Sequence, residues 1–448
     1  MRKLLIILVS ISVCGCGHFS SSDSSINISD QEKMERIAID FSRDSAYMVN
    51  YLKQYYPDLT PAQMQQWEST NALENMIIDG QRKYFRNAGR NLFRIDKQAR
   101  AVFDSINGGP EIDQLHLFLD GYNKKVIKAA RDKKKPFVLP VTMTVKYTLT
   151  VKPDVVPEGT LLKVWMPYPR ENQPSQKEVN LISASEKDYI ISPERYVHKS
   201  IYMEKKTVAG QPTVFSYEFS YEKYNEWYDF NPEDVKPYNT NSSIYKTYTA
   251  ERIPHIVFSD RIKRITDSIV GTETNPYLKV KAIYTWIADN YPWASAREYS
   301  TLDNIPEYVL DNNHGDCGQV GLLLIAMSRY AGVPARWQSG WMLHPGDVNL
   351  HDWGEIYYEG IGWVPTDMSF GRGRYNVKGN EDEYFFYTKG LDAYRLIVNC
   401  DYSGEFYPAK RYTRSETVDF QRGEVEWDGG NLYFNQWSGW IEEIKYDY

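Results

Sequence analysis

Cys317 lies in Asn313-His314-Gly315-Asp316-Cys317-Gly318-Gln319-Val320-Gly321, directly before the apolar run ending Leu322 to Met327 and the stop Gly332-Val333-Pro334. That order implies a turn, a buried helix and a stop, with Gly332 as C-cap signal and Pro334 just past it. Cys317 then falls at a helix N-terminus, where free N–H groups and the positive end of the macrodipole lower a thiol's pKa and favour the nucleophilic thiolate. Its own N–H is placed to donate to a developing oxyanion, and Gly315 and Gly318 leave the backbone open to a substrate carbonyl. Trp293 is the upstream candidate for a second oxyanion donor. A thiolate cannot by itself protonate a leaving amine, so amide chemistry also needs an acid, typically a histidine held by a carboxylate.

Downstream, Leu350-His351-Asp352-Trp353-Gly354-Glu355-Ile356-Tyr357-Tyr358 reads as a strand with His351, Trp353 and Glu355 on one face. Glu359-Gly360-Ile361-Gly362 reads as a hairpin turn, and Trp363-Val364-Pro365-Thr366-Asp367 as the returning strand. Adjacent antiparallel strands can set His351 beside Asp367, whose carboxylate fixes the imidazole tautomer. Competing readings stand beside this one. His314 or His344 could be the base, Cys317 could pair with Cys400 or be a plain core thiol, and Cys317 with the three histidines could hold zinc, although those spacings match no common site. The preferred expectation leaves Cys317 and Cys400 unpaired, with Cys400 packed as a small core hydrophobe.

Together these residues resemble the transglutaminase-like superfamily, papain-related thiol enzymes with a Cys-His-Asp triad. The resemblance rests on Gly315-Asp316-Cys317-Gly318, Gly332-Val333-Pro334-Ala335-Arg336, His351-Asp352-Trp353, Gly362-Trp363 and Asp367 in that order, with Tyr284-Thr285-Trp286-Ile287 similar to the family's preceding helix. It implies catalytic roles for Cys317, His351 and Asp367, a papain-like core, and neither cofactor nor metal. The implied reaction is hydrolysis of a peptide or amide bond in a peptide or protein substrate through an acyl-enzyme. Alternatives are transamidation to an amine, or a silent module that binds peptide or glycan. H-E-x-x-H, P-loop, EF-hand and G-x-S-x-G patterns do not occur, so zincin, phosphoryl-transfer and serine-hydrolase chemistry have no support in the sequence.

The elements that must position these residues suggest an α+β chain. Residues 30–136 read as a helical domain, with Thr60-Pro61-Ala62-Gln63 as a helix start, Gly108-Gly109-Pro110 as a break and the basic run Arg131 to Pro136 as a boundary. Residues 137–257 read as a β-sandwich: Val141, Met143, Val145, Tyr147, Leu149 and Val151 alternate, as do Phe215, Tyr217, Phe219 and Tyr221, and Val164-Trp165-Met166-Pro167-Tyr168-Pro169 looks like the β-domain preceding this core in bacterial members. Residues 258–448 read as the catalytic domain, whose tail is expected to complete its sheet.

The first residues, MRKLLIILVSISVCGCG, carry Arg2 and Lys3 before an apolar run too short to span a bilayer, the mark of an export signal over residues 1–15. Val13-Cys14-Gly15-Cys16 resembles the bacterial lipobox, with Cys16 as the lipidated residue and residues 16–29 as a Ser-rich tether. The expected location is the bacterial cell envelope, periplasmic face or cell surface, with the membrane reached through acyl chains. In 448 residues, 52 Lys and Arg against 59 Asp and Glu give a net charge of -7, which disfavours a nucleic-acid partner. Oligomeric state is not legible in the sequence.

Overall fold

The computed structural model describes residues 27–111, 113–370 and 380–448. The expected signal peptide, Cys16 and most of the tether lie outside the described residues. Helices and antiparallel sheets share the chain in an α+β arrangement.

The N-terminal region carries α1 (Asp30–Asp40), β1 (Arg43–Asp44), α2 (Ser45–Leu52), α3 (Pro61–Ser69), β2 (Asn75–Ile78), β3 (Gln81–Tyr84), α4 (Ala88–Ile95), α5 (Lys97–Ile106) and α6 (Gln114–Lys133). Thr60 and Gln63 form the capping box read from the sequence, Gln63 N donating to Thr60 Oγ1 at 3.3 Å and Thr60 N to Gln63 Oε1 at 2.9 Å. The region is not wholly helical. Strands β2 and β3 form a hairpin across Asp79-Gly80, both at positive φ (50° and 73°), and the small sheet runs β1-β3-β2. Lys134, in a left-handed conformation, ends α6 inside the basic run.

Next come β4 (Phe137–Val151), β5 (Leu161–Pro167), β6 (Gln176–Ala184), β7 (Tyr189–Ile191), β8 (Ser200–Lys206), β9 (Thr213–Trp227) and α7 (Ser243–Tyr248). The catalytic segment holds α8 (Asp260–Val270), α9 (Pro276–Asn290), α10 (Ile305–Asn312), α11 (Cys317–Tyr330), β10 (Ala335–His344), β11 (Asp347–Tyr358), β12 (Gly362–Thr366), α12 (Glu381–Tyr384), β13 (Gly390–Leu391) and β14 (Arg395–Asn399). The tail adds β15 (Glu424–Trp427), β16 (Gly430–Leu432) and β17 (Trp437–Asp447).

Every alternating apolar residue of β4 and β9 named above is buried, and the two strands pair in register from Val141 with Lys223 to Val151 with Thr213. Their sheet, β13-β9-β4-β17 with β6 beside β9, faces the sheet β16-β15-β5-β8-β7 across one apolar core. The tail therefore differs from expectation. β15 pairs with β5 and β17 with β4, so these strands complete the sandwich, and only β14 joins the catalytic sheet, in the order β12-β11-β10-β14. The reason is that Trp437, Ile441 and Val425 have their apolar partners in the sandwich core.

Helix α11 packs on α8, α9, α10 and on strands β10 and β11. Leu322 to Met327 are all buried, the Leu, Ile and Met side chains each contributing about 1.5–3 kcal/mol relative to exposure, which pins the helix that presents Cys317.

Candidate active site

Three positions bring Cys317 to its place. Asn313 caps α10 in a left-handed conformation (φ 56°). Gly315 follows where a Cβ would lie 3.1 Å from Gln319 Cβ and 3.2 Å from both Val309 and Val320, so the close approach of α10 and α11 leaves no room for a side chain. Asp316 is the N-cap of α11, accepting from Gln319 N at 3.1 Å while Gln319 Oε1 accepts from Asp316 N at 3.3 Å. Cys317, the first residue of the helix, is a half-buried free thiol.

The hairpin also forms as read. β11 and β12 pair from Gly354 with Thr366 to Tyr358 with Gly362, and Gly360 and Gly362 take positive φ in the turn. His351 Nε2 and Asp367 Oδ2 are 2.7 Å apart in a buried hydrogen bond. Burial is the largest influence on His351 and lowers its pKa; Asp367 pulls the other way, Arg395 reinforces burial, and the ring rests neutral at pH 7. Burial raises Asp367, but His351 and Arg395 outweigh it and hold the carboxyl below its usual range.

The thiol makes a different contact. Cys317 Sγ donates to Asp352 Oδ2 at 3.3 Å, and among the described residues no hydrogen bond joins it to His351. His351 and Asp352 are consecutive on β11 and leave opposite faces of the strand. Asp352 shares its face with Gly354, which sits over Ile325 of α11, whereas His351 stacks with Trp353 at 5.9 Å and meets Phe370 edge-on at 5.2 Å.

The helix terminus does not lower this thiol as expected. Burial, then Asp352, then Asp316 push Cys317 well above the ordinary thiol value, and the Asp352 backbone N–H, which favours the thiolate, does not offset them. The N-cap carboxyl of Asp316 already answers the positive end of α11. Asp316 is itself raised to about 6, chiefly by burial, and accepts from Tyr299 OH at 2.6 Å.

Two further parts of the site escaped the sequence reading. Arg395 ion-pairs Asp367 at 3.1 Å and Asp392 at 2.8 Å, and Asp392 in turn pairs with His344 at 2.9 Å, so a buried chain of alternating groups backs the hairpin. On the other face, Asp419 approaches Asp352 from the irregular tail and binds Ser339 Oγ at 2.6 Å. Asp352 was legible by period two as the helix-facing neighbour of His351; Asp419 lies in no periodic segment. The competing histidines are engaged elsewhere, His314 Nδ1 at 2.8 Å from Asn312 O and His344 on Asp392, and are not gathered around Cys317. Trp293 bridges Gly315 through its backbone, and its ring lies under Arg94 at 4.7 Å. Cys317 is a free thiol, so the competing Cys317–Cys400 pairing does not form, and Cys400 sits buried after β14 with its N–H on Val197 O at 3.2 Å.

Residues 263–368, which hold α9, α11, the hairpin and all three candidate residues, match the family model described as the transglutaminase-like superfamily. This segment is a transglutaminase-like domain. A Haemophilus influenzae protein of uncharacterized function is 29% identical over 165 residues, 31% of this chain and 42% of that protein. YebA of Bacillus subtilis, likewise uncharacterized, is 23% identical over 167 residues, 29% of this chain and 22% of its own length. The chain thus spans less than half the length of the curated relatives it matches. Among solved structures, a candidate cysteine protease from Cytophaga hutchinsonii superposes with a TM-score of 0.44 at 13% identity, covering 69% of this chain and 90% of that one. The periplasmic domain of TgpA from Pseudomonas aeruginosa gives a TM-score of 0.27 at 12% identity, covering 50% of this chain and 88% of its own.

Proposed function

We propose that the transglutaminase-like domain is a thiol hydrolase of peptide or amide bonds. Cys317 attacks the carbonyl carbon, the acyl group passes to sulfur, and water resolves the acyl-enzyme. His351, oriented by Asp367, is the acid–base group of the cycle, and the N–H of Cys317 is a donor to the oxyanion. The observation that carries the reading is the pairing of a free thiol on the first residue of a buried helix with a buried His351–Asp367 hydrogen bond on the adjoining sheet. Hydrolysis is preferred to transamidation because water is the abundant acceptor in the proposed setting outside the cytoplasm.

The proposed setting is the cell envelope, reached by export and a lipid on Cys16. Among the described residues no helix is long and apolar enough to cross a membrane, so attachment on this reading depends on the acyl chains.

A second reading, the silent binding module, is favoured by one observation: the resting thiol is held protonated against a carboxyl. Product analysis by mass spectrometry, with wild type and C317A incubated with a library of peptides and amides, separates the two. Cleavage by wild type alone supports the hydrolase. Binding without cleavage by either protein supports the silent module.

A further inference from the structure

We propose that Glu298 is a positioning residue for the acyl transfer: its ion pair with Arg422 of the tail clamps the nucleophile side of the site to the histidine side. The inference rests on the reading of Cys317 as nucleophile and leaves His351 as the acid–base group. Glu298 Oε1 accepts from Arg422 Nη1 at 3.2 Å and Oε2 from Nη2 at 2.6 Å, a two-pronged pair that fixes direction as well as distance.

Each member of the pair adjoins a residue that holds one side of the site. Tyr299 follows Glu298, and its hydroxyl donates at 2.6 Å to Asp316 Oδ1, on the carboxyl that caps the helix of Cys317, while lying 3.4 Å from Asp352 Oδ2 on β11. A Cβ on Gly318 would collide with that hydroxyl, so the Tyr299 side chain is the spacer between the first turn of α11 and the sheet. Gln421 precedes Arg422, and its Nε2 donates to His351 O at 2.9 Å. Gln421 O accepts from Trp341 Nε1 at 3.0 Å, which ties the same residue to β10.

Between α9 and α10 the chain forms only a short 3-10 turn, Tyr299–Thr301, so the place of the spacer depends on its partners. Those of Glu298 come from the N-terminal region and the tail. Arg86 Nη2 is 3.3 Å from Glu298 Oε1 and its Nη1 is 3.2 Å from Asp40 Oδ1, Asp40 Oδ2 accepts from Glu298 N at 2.7 Å, and the Arg422 guanidinium lies 3.5 Å from the Phe434 ring centroid. Burial raises the pKa of Glu298, but Arg422 and then Arg86 outweigh it and hold the carboxyl below its usual range. Asp40, Arg86 and Arg422 all lie outside residues 263–368, so the segment that matches the family model does not by itself hold its own spacer. Replacing the Glu298 carboxylate by an amide leaves two guanidiniums sharing one neutral oxygen and frees Tyr299 to shift. A displacement of about 1 Å remote from the chemistry can cost about 100-fold in rate, so the acylation step reads such a shift.

The test uses p-nitrophenyl acetate, whose burst of p-nitrophenol reports acylation by its rate and the number of competent chains by its amplitude. E298Q and R422M are each expected to slow the burst about 100-fold at unchanged amplitude. The double variant should be no slower than the slower single one, since both remove the same pair, whereas independent effects would multiply. R422K keeps the charge without the fork and should recover part of the rate. A merely structural pair would lower the melting temperature and the amplitude and leave the rate of the remaining chains unchanged. That result, or single-variant rates within about 3-fold of wild type, overturns the proposal. If C317A keeps the burst, the reading of Cys317 as nucleophile fails and the positioning role falls with it; a burst lost in C317A but unaltered in E298Q and R422M refutes the clamp alone.

Discussion

Replacing Arg395 with Met removes the one buried cation between two buried carboxylates. Arg395 contacts Asp367 at 3.1 Å through Nη1, and Asp392 at 2.8 Å through Nη2 and 3.2 Å through Nε, with its guanidinium 4.6 Å from the Phe370 ring centroid. A methionine fills much of the volume but leaves both acids without their ion pair. Asp367 keeps His351 and Ser369 N, and Asp392 keeps His344 and Tyr387, so the cost falls near the lower end of the roughly 3–5 kcal/mol seen when one partner of a buried pair is removed. Because the urea m-value exceeds the roughly 1–3 kcal/mol/M of small proteins in a chain of 448 residues, the midpoint should drop by less than about 1 M. Trp353, whose ring lies 5.8 Å from the guanidinium, is a local fluorescence probe for the unfolding curve. Because Arg395 also opposes protonation of His351, R395M should raise the pKa of that imidazole, visible in its NMR titration. R395K, which keeps charge but not the fork, should fall between the two. An R395M midpoint indistinguishable from wild type would refute the view that Asp367 is held ionised by this pair.

The same structure makes further predictions. Glu416 is buried and raised to about 8, mainly by burial, so the folded state holds its proton where the unfolded chain, with a glutamate pKa of about 4.3, does not. That contribution is complete below the unfolded value and is lost as pH rises toward 8; E416Q should therefore gain up to a few kcal/mol over wild type at pH 8 and little at pH 4, read from urea midpoints at both. Gly318→Ala would set a Cβ in contact with Tyr299 and 2.7 Å from Asp352 Oδ2, costing about 1–3 kcal/mol by overpacking and displacing the thiol's neighbours, seen as a lower melting temperature together with altered labelling of Cys317. Asn91 exchanges hydrogen bonds with Ser295 at 2.8 and 3.0 Å, joining the N-terminal region to the segment before the nucleophile; Asn91→Ala should cost about 1–3 kcal/mol and increase proteolytic nicking between residues 293 and 303.

Much of this arrangement was legible where one local rule governs a segment. Period two located β4 and β9 because both bury a continuous apolar face, and the position of Cys317 at the start of α11 followed from the glycines before it and the apolar run after it. The hairpin that brings Asp367 to His351 was legible from its two glycines. The hairpin at Asp79-Gly80 carried an equally local turn signal, lost among strong helix formers on either side. What escaped depends on partners distant in sequence. The tail strands β15 and β17 alternate acceptably for either sheet, and only the shape of the sandwich core decides between them. The thiol's raised pKa comes first from burial and then from Asp352, which lies 35 residues further along the chain, so neither cause is visible in the local helix-terminus pattern. Arg395 and Asp419 come from segments whose proximity to the hairpin is set by tertiary folding.

The central claim, that Cys317 is the nucleophile of an acyl transfer, is tested most directly by trapping the acyl-enzyme. Wild-type protein quenched in acid during turnover of p-nitrophenyl acetate should gain the mass of one acetyl group, with peptide mapping placing it on Cys317, and C317A should gain none there. An acetyl group on another residue, or a burst of p-nitrophenol with Cys317 unmodified at every quench time, would contradict the account.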